Sequence, residues 1–71
     1  MTVGELVNRF RYHAPKDDQP KRYEEIRAKA MSFALEVFRS CPEGREKSLA
    51  MTKIEEAVMW ANAAIARNED D

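Results

Sequence analysis

The sequence predicts an all-α protein in which a short N-terminal helix is followed by a long antiparallel helical hairpin. Apolar residues recur at steps of three and four over most of the 71 residues, which is the spacing of one helix face. Two short stretches interrupt these periodic segments. Both contain proline, and one also contains glycine. We expect helices at about residues 2–11, 20–40 and 45–67, followed by an acidic tail at 68–71. The length suits a single domain spanning residues 1–71.

The first helix is predicted from its N-terminal cap. Thr2 and Glu5 have capping-box spacing, at which each side chain satisfies a free backbone donor at the helix start. One apolar stripe then follows at helical spacing, formed by Val3, Leu6, Val7 and Phe10. So short a helix is not stable alone, and we expect it to dock with Phe10 in the core.

The second helix is predicted to begin at Pro20, because proline is favoured at the first helical position. Its early half is amphipathic, with Tyr23, Ile26 and Ala30 on its apolar side. Its later half contains "MSFALEVF", in which apolar side chains surround most of the circumference. A helix that is apolar nearly all round needs neighbours on several sides, and a three-helix monomer of this size offers too few. We therefore expect self-association.

The third helix contains neither glycine nor proline and carries two apolar stripes. The stronger stripe, a seam, consists of Met51, Ile54, Val58, Ala61 and Ile65. A second stripe beside it consists of Leu49, Ala57, Trp60 and Ala64. The turn that precedes this helix is short, so the second and third helices should pair as an antiparallel hairpin.

The amino-acid composition excludes several classes of function. The chain has 12 Lys plus Arg against 13 Asp plus Glu, so it lacks the basic excess of proteins that grip long duplexes, and we expect no DNA binding. One cysteine, Cys41, and one histidine, His13, build neither an internal disulfide nor a zinc site, and we expect no enzyme, cofactor or metal centre. No apolar run approaches the roughly 18 residues that cross a bilayer. We expect a cytosolic protein with no membrane partner.

The stretch "NRFRYHAP", residues 8–15, interleaves aromatic rings with cations in the joint between two helices. Aromatic rings stack on nucleobases, and nearby arginines bind phosphates. Tyr12 therefore has two interpretations, which the residues alone leave open. In the first, its ring stacks on a base whose phosphate the neighbouring cations bind. In the second, its ring covers a helix end and its hydroxyl lies in water.

Two segments of the chain resemble the small phage-encoded anti-CBASS sponge proteins, whose helical hairpin is also known in anti-Thoeris sponges. They are "RYHAPKDDQPKRYEEIRAKA" and "REKSLAMTKIEEAVMWANAAIAR", and the likeness covers about residues 11–67. The resemblance implies a compact all-α homohexamer that binds cyclic dinucleotides and, at separate sites, cyclic trinucleotides without cleaving them. Such a bacteriophage protein withholds the activating messenger from a bacterial immune effector in the host cytoplasm, which is a form of immune evasion.

The resemblance also implies roles for individual residues. In the family, a tyrosine of the N-terminal segment and a lysine on the next helix hold the cyclic dinucleotide between two protomers. The tyrosine matches Tyr12, and we place His13 in the same site. For the lysine we favour Lys29, with Arg27 or Lys21 as alternatives.

The cyclic trinucleotide site of the family uses an arginine near the end of the last helix. Arg67 is its natural counterpart here. By extrapolation, Thr52 supplies a hydroxyl contact and Asn62 an amide contact.

A second function class is compatible with the same residues. A small oligomeric helical adaptor, or an inhibitor acting through protein–protein contacts, also carries exposed apolar stripes. The mass of the protein in solution separates this alternative from the sponge.

Overall fold

The computed structural model describes residues 1–69. Within them lie three α-helices and no strand: α1 (Val3–Phe10), α2 (Gln19–Ser40) and α3 (Arg45–Asn68). The all-α prediction is confirmed, and α2 packs along α3 as a helical hairpin. No helix in this part of the chain is long and apolar enough to cross a membrane.

The C-terminal end of α3 differs in one respect from the expected bounds. The acidic tail was expected to begin at residue 68, but Asn68 is the last residue of α3 and Glu69 caps it. Residues 70 and 71 of that predicted tail lie outside the described residues.

The predicted capping box forms at the start of α1. The Glu5 backbone N–H donates to the Thr2 hydroxyl at 3.0 Å, and the Thr2 N–H donates to the Glu5 carboxylate at 3.4 Å. The expectation for Phe10 is wrong within a single chain, because its side chain is 83% exposed. All four residues of the α1 stripe are exposed in the single chain.

The start of α2 is set by a tight turn. The Gln19 N–H donates to the Lys16 carbonyl at 2.9 Å, and Asp17 takes a positive φ of 52°. Aspartate tolerates this left-handed conformation better than most residues. Helix α2 consequently begins at Gln19, with Pro20 as its second residue.

The α2–α3 turn is held by Lys47. Its ammonium group donates to the Phe38 carbonyl at 2.9 Å, pairs with the Glu43 carboxylate at 2.7 Å and lies 4.5 Å from the centre of the Phe38 ring. The side chain is 9% exposed. A cation at this point satisfies a carbonyl that the last turn of α2 leaves without a helical partner.

The helices form a single layer. The chain measures 44 × 28 × 13 Å, and its smallest dimension is close to the diameter of about 10–12 Å of one helix with side chains. The α3 seam faces α2 and is half-buried, whereas the second stripe of α3 is exposed. Among residues 1–69 no hydrophobic residue is fully buried, and Gln19, at 3% exposure, is the buried polar residue.

Each face of the layer carries an apolar groove between α2 and α3. One groove, of about 620 Å³, we call the alanine face; its small residues are Ala30, Ala50, Ala57 and Ala61. The opposite groove, of about 440 Å³, we call the methionine face, after Met31, Met51 and Met59. Domains normally bury such faces against a second layer, which one copy of this chain does not possess.

We predict that Lys47→Met lowers the free energy of unfolding by about 1–2 kcal/mol, because it removes two hydrogen bonds and a cation–π contact at a shielded position. Thermal or urea unfolding at one fixed protein concentration measures the change. Lys21→Met, which alters an exposed lysine of α2, is the matched control. Equal stability of the two variants would contradict the role given to Lys47.

Candidate functional site

A cationic groove of about 420 Å³ lies where the segment after α1 crosses the open end of the hairpin. We call it the arginine groove. Its floor is formed by Ala63 and Ala66 of α3, beside His13 and Asn62. Its guanidinium and phenol groups belong to Arg9, Arg11, Arg27, Arg67, Tyr12 and Tyr23. Among residues 1–69 no carboxylate lines it. The groove therefore concentrates positive charge on a protein whose formal net charge is −1.

Helical spacing places the groove side chains on the correct faces. Tyr23 and Arg27 are four residues apart on α2, as are Ala63 and Arg67 on α3, so each pair shares a helix face. Antiparallel packing brings the beginning of α2 beside the end of α3. Side chains more than thirty positions apart in the sequence therefore meet at one end of the hairpin.

Hydrogen bonds tie α1 and the following segment to the end of α3. The Asn8 amide donates to the Arg67 carbonyl at 3.1 Å, and the Arg67 guanidinium donates to the Arg9 carbonyl at 3.4 Å. His13 Nε2 lies 2.8 Å from the Asn8 carbonyl. A carbonyl only accepts, so His13 donates through Nε2 and its role there is to hold the backbone. These contacts place Tyr12 at the mouth of the groove, where it is 81% exposed.

A charged clamp holds the same end of the hairpin together. Arg22 donates through two nitrogens to the Glu69 carboxylate, at 2.7 and 2.5 Å, and the buried Gln19 amide donates to it at 3.2 Å. The Gln19 side chain also accepts from the Lys16 backbone N–H at 3.1 Å. The clamp thus joins the end of α3, the start of α2 and the segment between α1 and α2.

The clamp changes the acidity of both charged partners. The hydrogen bonds from Arg22, followed by that from Gln19, lower the pKa of Glu69 to about 2. The hydrogen bond to Glu69 raises the pKa of Arg22 above its usual value. Arg27 and Arg67 are not part of this ion pair, and both line the groove.

Five of the residues that the sequence analysis nominated line this one groove: Tyr12, His13, Arg27, Asn62 and Arg67. They come from both nominated sets, the dinucleotide residues and the trinucleotide residues. Asn62 and Arg67 are contributed by α3, and Arg27 by α2.

Three other nominated residues lie elsewhere in the single chain. Lys29 lines the alanine face beside Lys53. Lys29 follows Arg27 by two residues, which is a rotation of about 200° around the helix. The two side chains therefore lie on opposite faces of α2, and Arg27 is the one that lines the same groove as Tyr12. Lys21 is exposed on α2, and the Thr52 hydroxyl donates to the Ser48 carbonyl of its own helix at 3.1 Å.

Three groove residues were not among those nominated as site residues. Arg9 and Arg11 stand in the aromatic and basic stretch that contains Tyr12, and that proximity was the available signal. Tyr23 was assigned to the apolar side of the second helix. Its spacing of four residues before Arg27 could have identified it as a groove residue.

The chain matches a known protein family. Residues 3–66 match the family model described as "Acb2/Tad1, hairpin domain", which covers most of the chain. This family is known for binding cyclic nucleotide signals and is not a known enzyme family. The matched range contains Tyr12, Arg27 and Asn62 and ends one residue before Arg67. No curated protein and no solved structure matches the chain.

We predict that Glu69 makes stability depend on pH in the acid range. Its pKa of about 2 in the folded chain lies below the ordinary 4.5, so its contribution is fully present above pH 4.5 and is lost as the pH falls towards 2. An NMR titration of the Glu69 carboxyl should show a midpoint near 2. Glu69→Gln should remove this part of the pH dependence, whereas Glu24→Gln, an exposed carboxylate of α2, should leave it in place. A Glu69 midpoint at 4.5 would show that the clamp does not form.

Proposed function

The chain belongs to the Acb2/Tad1 hairpin-domain family, and on that premise we propose that it is a phage anti-defence sponge. It binds cyclic dinucleotide and cyclic trinucleotide second messengers in the host cytoplasm and holds them without cleaving them. The captured messenger no longer reaches its effector, and CBASS-type bacterial immunity is blocked.

The arginine groove is the observation that carries this proposal. Each phosphodiester of a cyclic oligonucleotide is an anion, and guanidinium groups present paired donors that match phosphate oxygens. Tyr12 and Tyr23 supply rings on which bases stack with little preference for sequence. The volume of about 420 Å³ falls within the range of roughly 300–1,000 Å³ typical of small-molecule sites.

A protein that only holds its ligand needs affinity for that ligand and no catalytic groups. In an enzyme, useful binding energy is reserved for the transition state, whereas a sponge gains from stabilising the ground state of its ligand. The groove is held in place by the Asn8, His13 and Arg67 hydrogen bonds described above. Because these contacts order the groove before binding, little ordering is left for the ligand to impose.

We propose that the chain assembles as a homohexamer, and its surface area supports self-association. One chain exposes 5826 Å², compared with about 4,500 Å² for a compact monomer of its mass. The difference of about 1,300 Å² is larger than the roughly 800 Å² that each partner contributes to a standard interface. The alanine face, the methionine face and the α1 stripe give each copy several surfaces for contact, which a closed symmetric assembly uses.

Assembly also bears on the residue roles. We propose that Tyr12, Arg27 and His13 serve the cyclic dinucleotide and that Arg67 and Asn62 serve the cyclic trinucleotide. Lys29 and Thr52 lie outside the arginine groove of their own chain. They reach a ligand only where a neighbouring copy brings them to it.

Exposed apolar faces also favour the adaptor as a second candidate function, since Trp60 and Phe38 are both more than half exposed in one chain. An adaptor keeps such surfaces for another protein, whereas a sponge covers them by assembly. Mass in solution decides between the two.

We predict that the purified protein has six times the 8.2 kDa mass of one chain and binds both ligand classes in calorimetry. Heating the complex should release cyclic dinucleotide and cyclic trinucleotide of unchanged mass. Release of a linear product would exclude the sponge. A monomer that binds neither ligand would favour the adaptor.

We predict that Tyr12→Ala and Arg27→Gln each weaken cyclic dinucleotide binding about tenfold or more, through loss of base stacking and of a phosphate contact. Arg39→Gln removes an equal charge at the other end of α2 and is the matched control. Lys29→Gln, measured alongside, decides between the two α2 cations. A larger loss for Lys29→Gln than for Arg27→Gln would assign the site to a surface formed between copies.

A further inference from the structure

The arginine groove is rich in donors and poor in acceptors. Its guanidinium groups carry only N–H donors. They therefore donate hydrogen bonds to phosphates and base carbonyls but accept none from the amino group of a base. The side-chain acceptors available at the groove belong to Tyr12, Tyr23, His13 and Asn62. A base amine therefore has few partners there.

Asn62 differs from the other acceptors because water does not satisfy it. Its Oδ1 is shielded from solvent and accepts no hydrogen bond from the described residues. The other buried side-chain atom without a partner in this part of the chain is Arg22 Nε, a donor on the clamp. An unpaired buried acceptor costs free energy that a correctly placed donor recovers.

A donor in the groove can meet this oxygen once the Asn62 amide turns, because Asn62 itself lines the cavity. Ala63 follows it directly, and Ala66 lies one helical turn further along α3, so the groove floor next to the amide consists of methyl groups. The last torsion of an asparagine side chain is broad, and a turn of the amide brings Oδ1 towards the cavity that Asn62 lines. A planar base lying on the alanine floor would place its edge against this amide.

We propose that Asn62, which lines the same groove as Tyr12 and Arg27, contacts cyclic dinucleotides as well as trinucleotides and determines base specificity. It selects ligands whose bases carry an exocyclic amine, adenine in particular, by accepting a hydrogen bond from that amine. This inference rests on the proposed function, since it requires that the groove bind a cyclic nucleotide. The arginines and Tyr12 then supply affinity common to all bases, and Asn62 supplies the difference between them.

The test compares two ligands of equal charge and nearly equal ring area. One is cyclic di-adenylate; the other is its analogue in which hydrogen replaces each 6-amino group. We expect the wild-type protein to bind the adenine ligand about fivefold to tenfold more tightly in calorimetry. Asn62→Leu, of similar volume, should bring this ratio close to one. Asn68→Leu, an amide on the same helix outside the groove, should retain the ratio, and Arg27→Gln should lower both affinities by the same factor.

The possible outcomes distinguish failure of the role proposed for Asn62 from failure of the proposed sponge function. If the wild-type protein binds neither ligand, the proposed function fails and the inference falls with it. If it binds both equally, or if Asn62→Leu keeps the preference for adenine, the sponge stands and the role of Asn62 is overturned. Loss of assembly in Asn62→Leu, seen as a fall in solution mass, would assign the amide to a contact between copies and would also overturn the inference.

Discussion

Two helices that lie side by side have two broad faces, and neither helix can cover them for the other. In this protein both faces are apolar, one lined by alanines and the other by methionines, and α1 adds a third uncovered stripe. The radius of gyration of the chain is 15.3 Å, whereas a compact domain of this length has a radius of gyration of roughly 11 Å. A layer of this kind gains most of its hydrophobic stabilisation when it meets other layers. The uncovered apolar faces therefore support the proposal that the chain assembles into a closed homo-oligomer.

Antiparallel packing of α2 on α3 creates the arginine groove as a direct consequence. The hairpin brings the first turns of α2 beside the last turns of α3, and the α1 segment folds back across this open end. Glu69 lines a cavity that adjoins the groove and shares Tyr12 and His13 with it, and its carboxylate is held by Arg22 and Gln19 in the clamp. Pairing of that carboxylate with Arg22 leaves Arg27 and Arg67 to define the potential of the cavity. A nearly neutral chain thus presents a concentrated positive site suited to a small polyanion.

The division of labour inside the groove follows from the chemistry of its side chains. Guanidinium groups match phosphates and phenol rings match any base, so neither distinguishes one messenger from another. The Asn62 amide is different, because it combines a donor with an acceptor that solvent does not reach. Affinity common to all bases and selectivity between bases can therefore reside in separate residues, which suits the proposed sponge.

Local features of the chain were determined by the sequence alone. Helical periodicity and the Thr2–Glu5 capping box involve residues within one or two turns of each other, and both appear in the structure as predicted. The half-buried seam of α3 follows from the same periodicity. Tyr12 was identifiable because its aromatic and basic neighbours adjoin it in sequence. Tertiary structure alone decided which distant side chains meet. The two-residue offset between Arg27 and Lys29 sends them to opposite faces of α2, and only the packing partner shows which of them reaches Tyr12. The convergence of Asn62 and Arg67 with the N-terminal segment, and the exposure of Phe10, depend on contacts across the hairpin that periodicity does not encode.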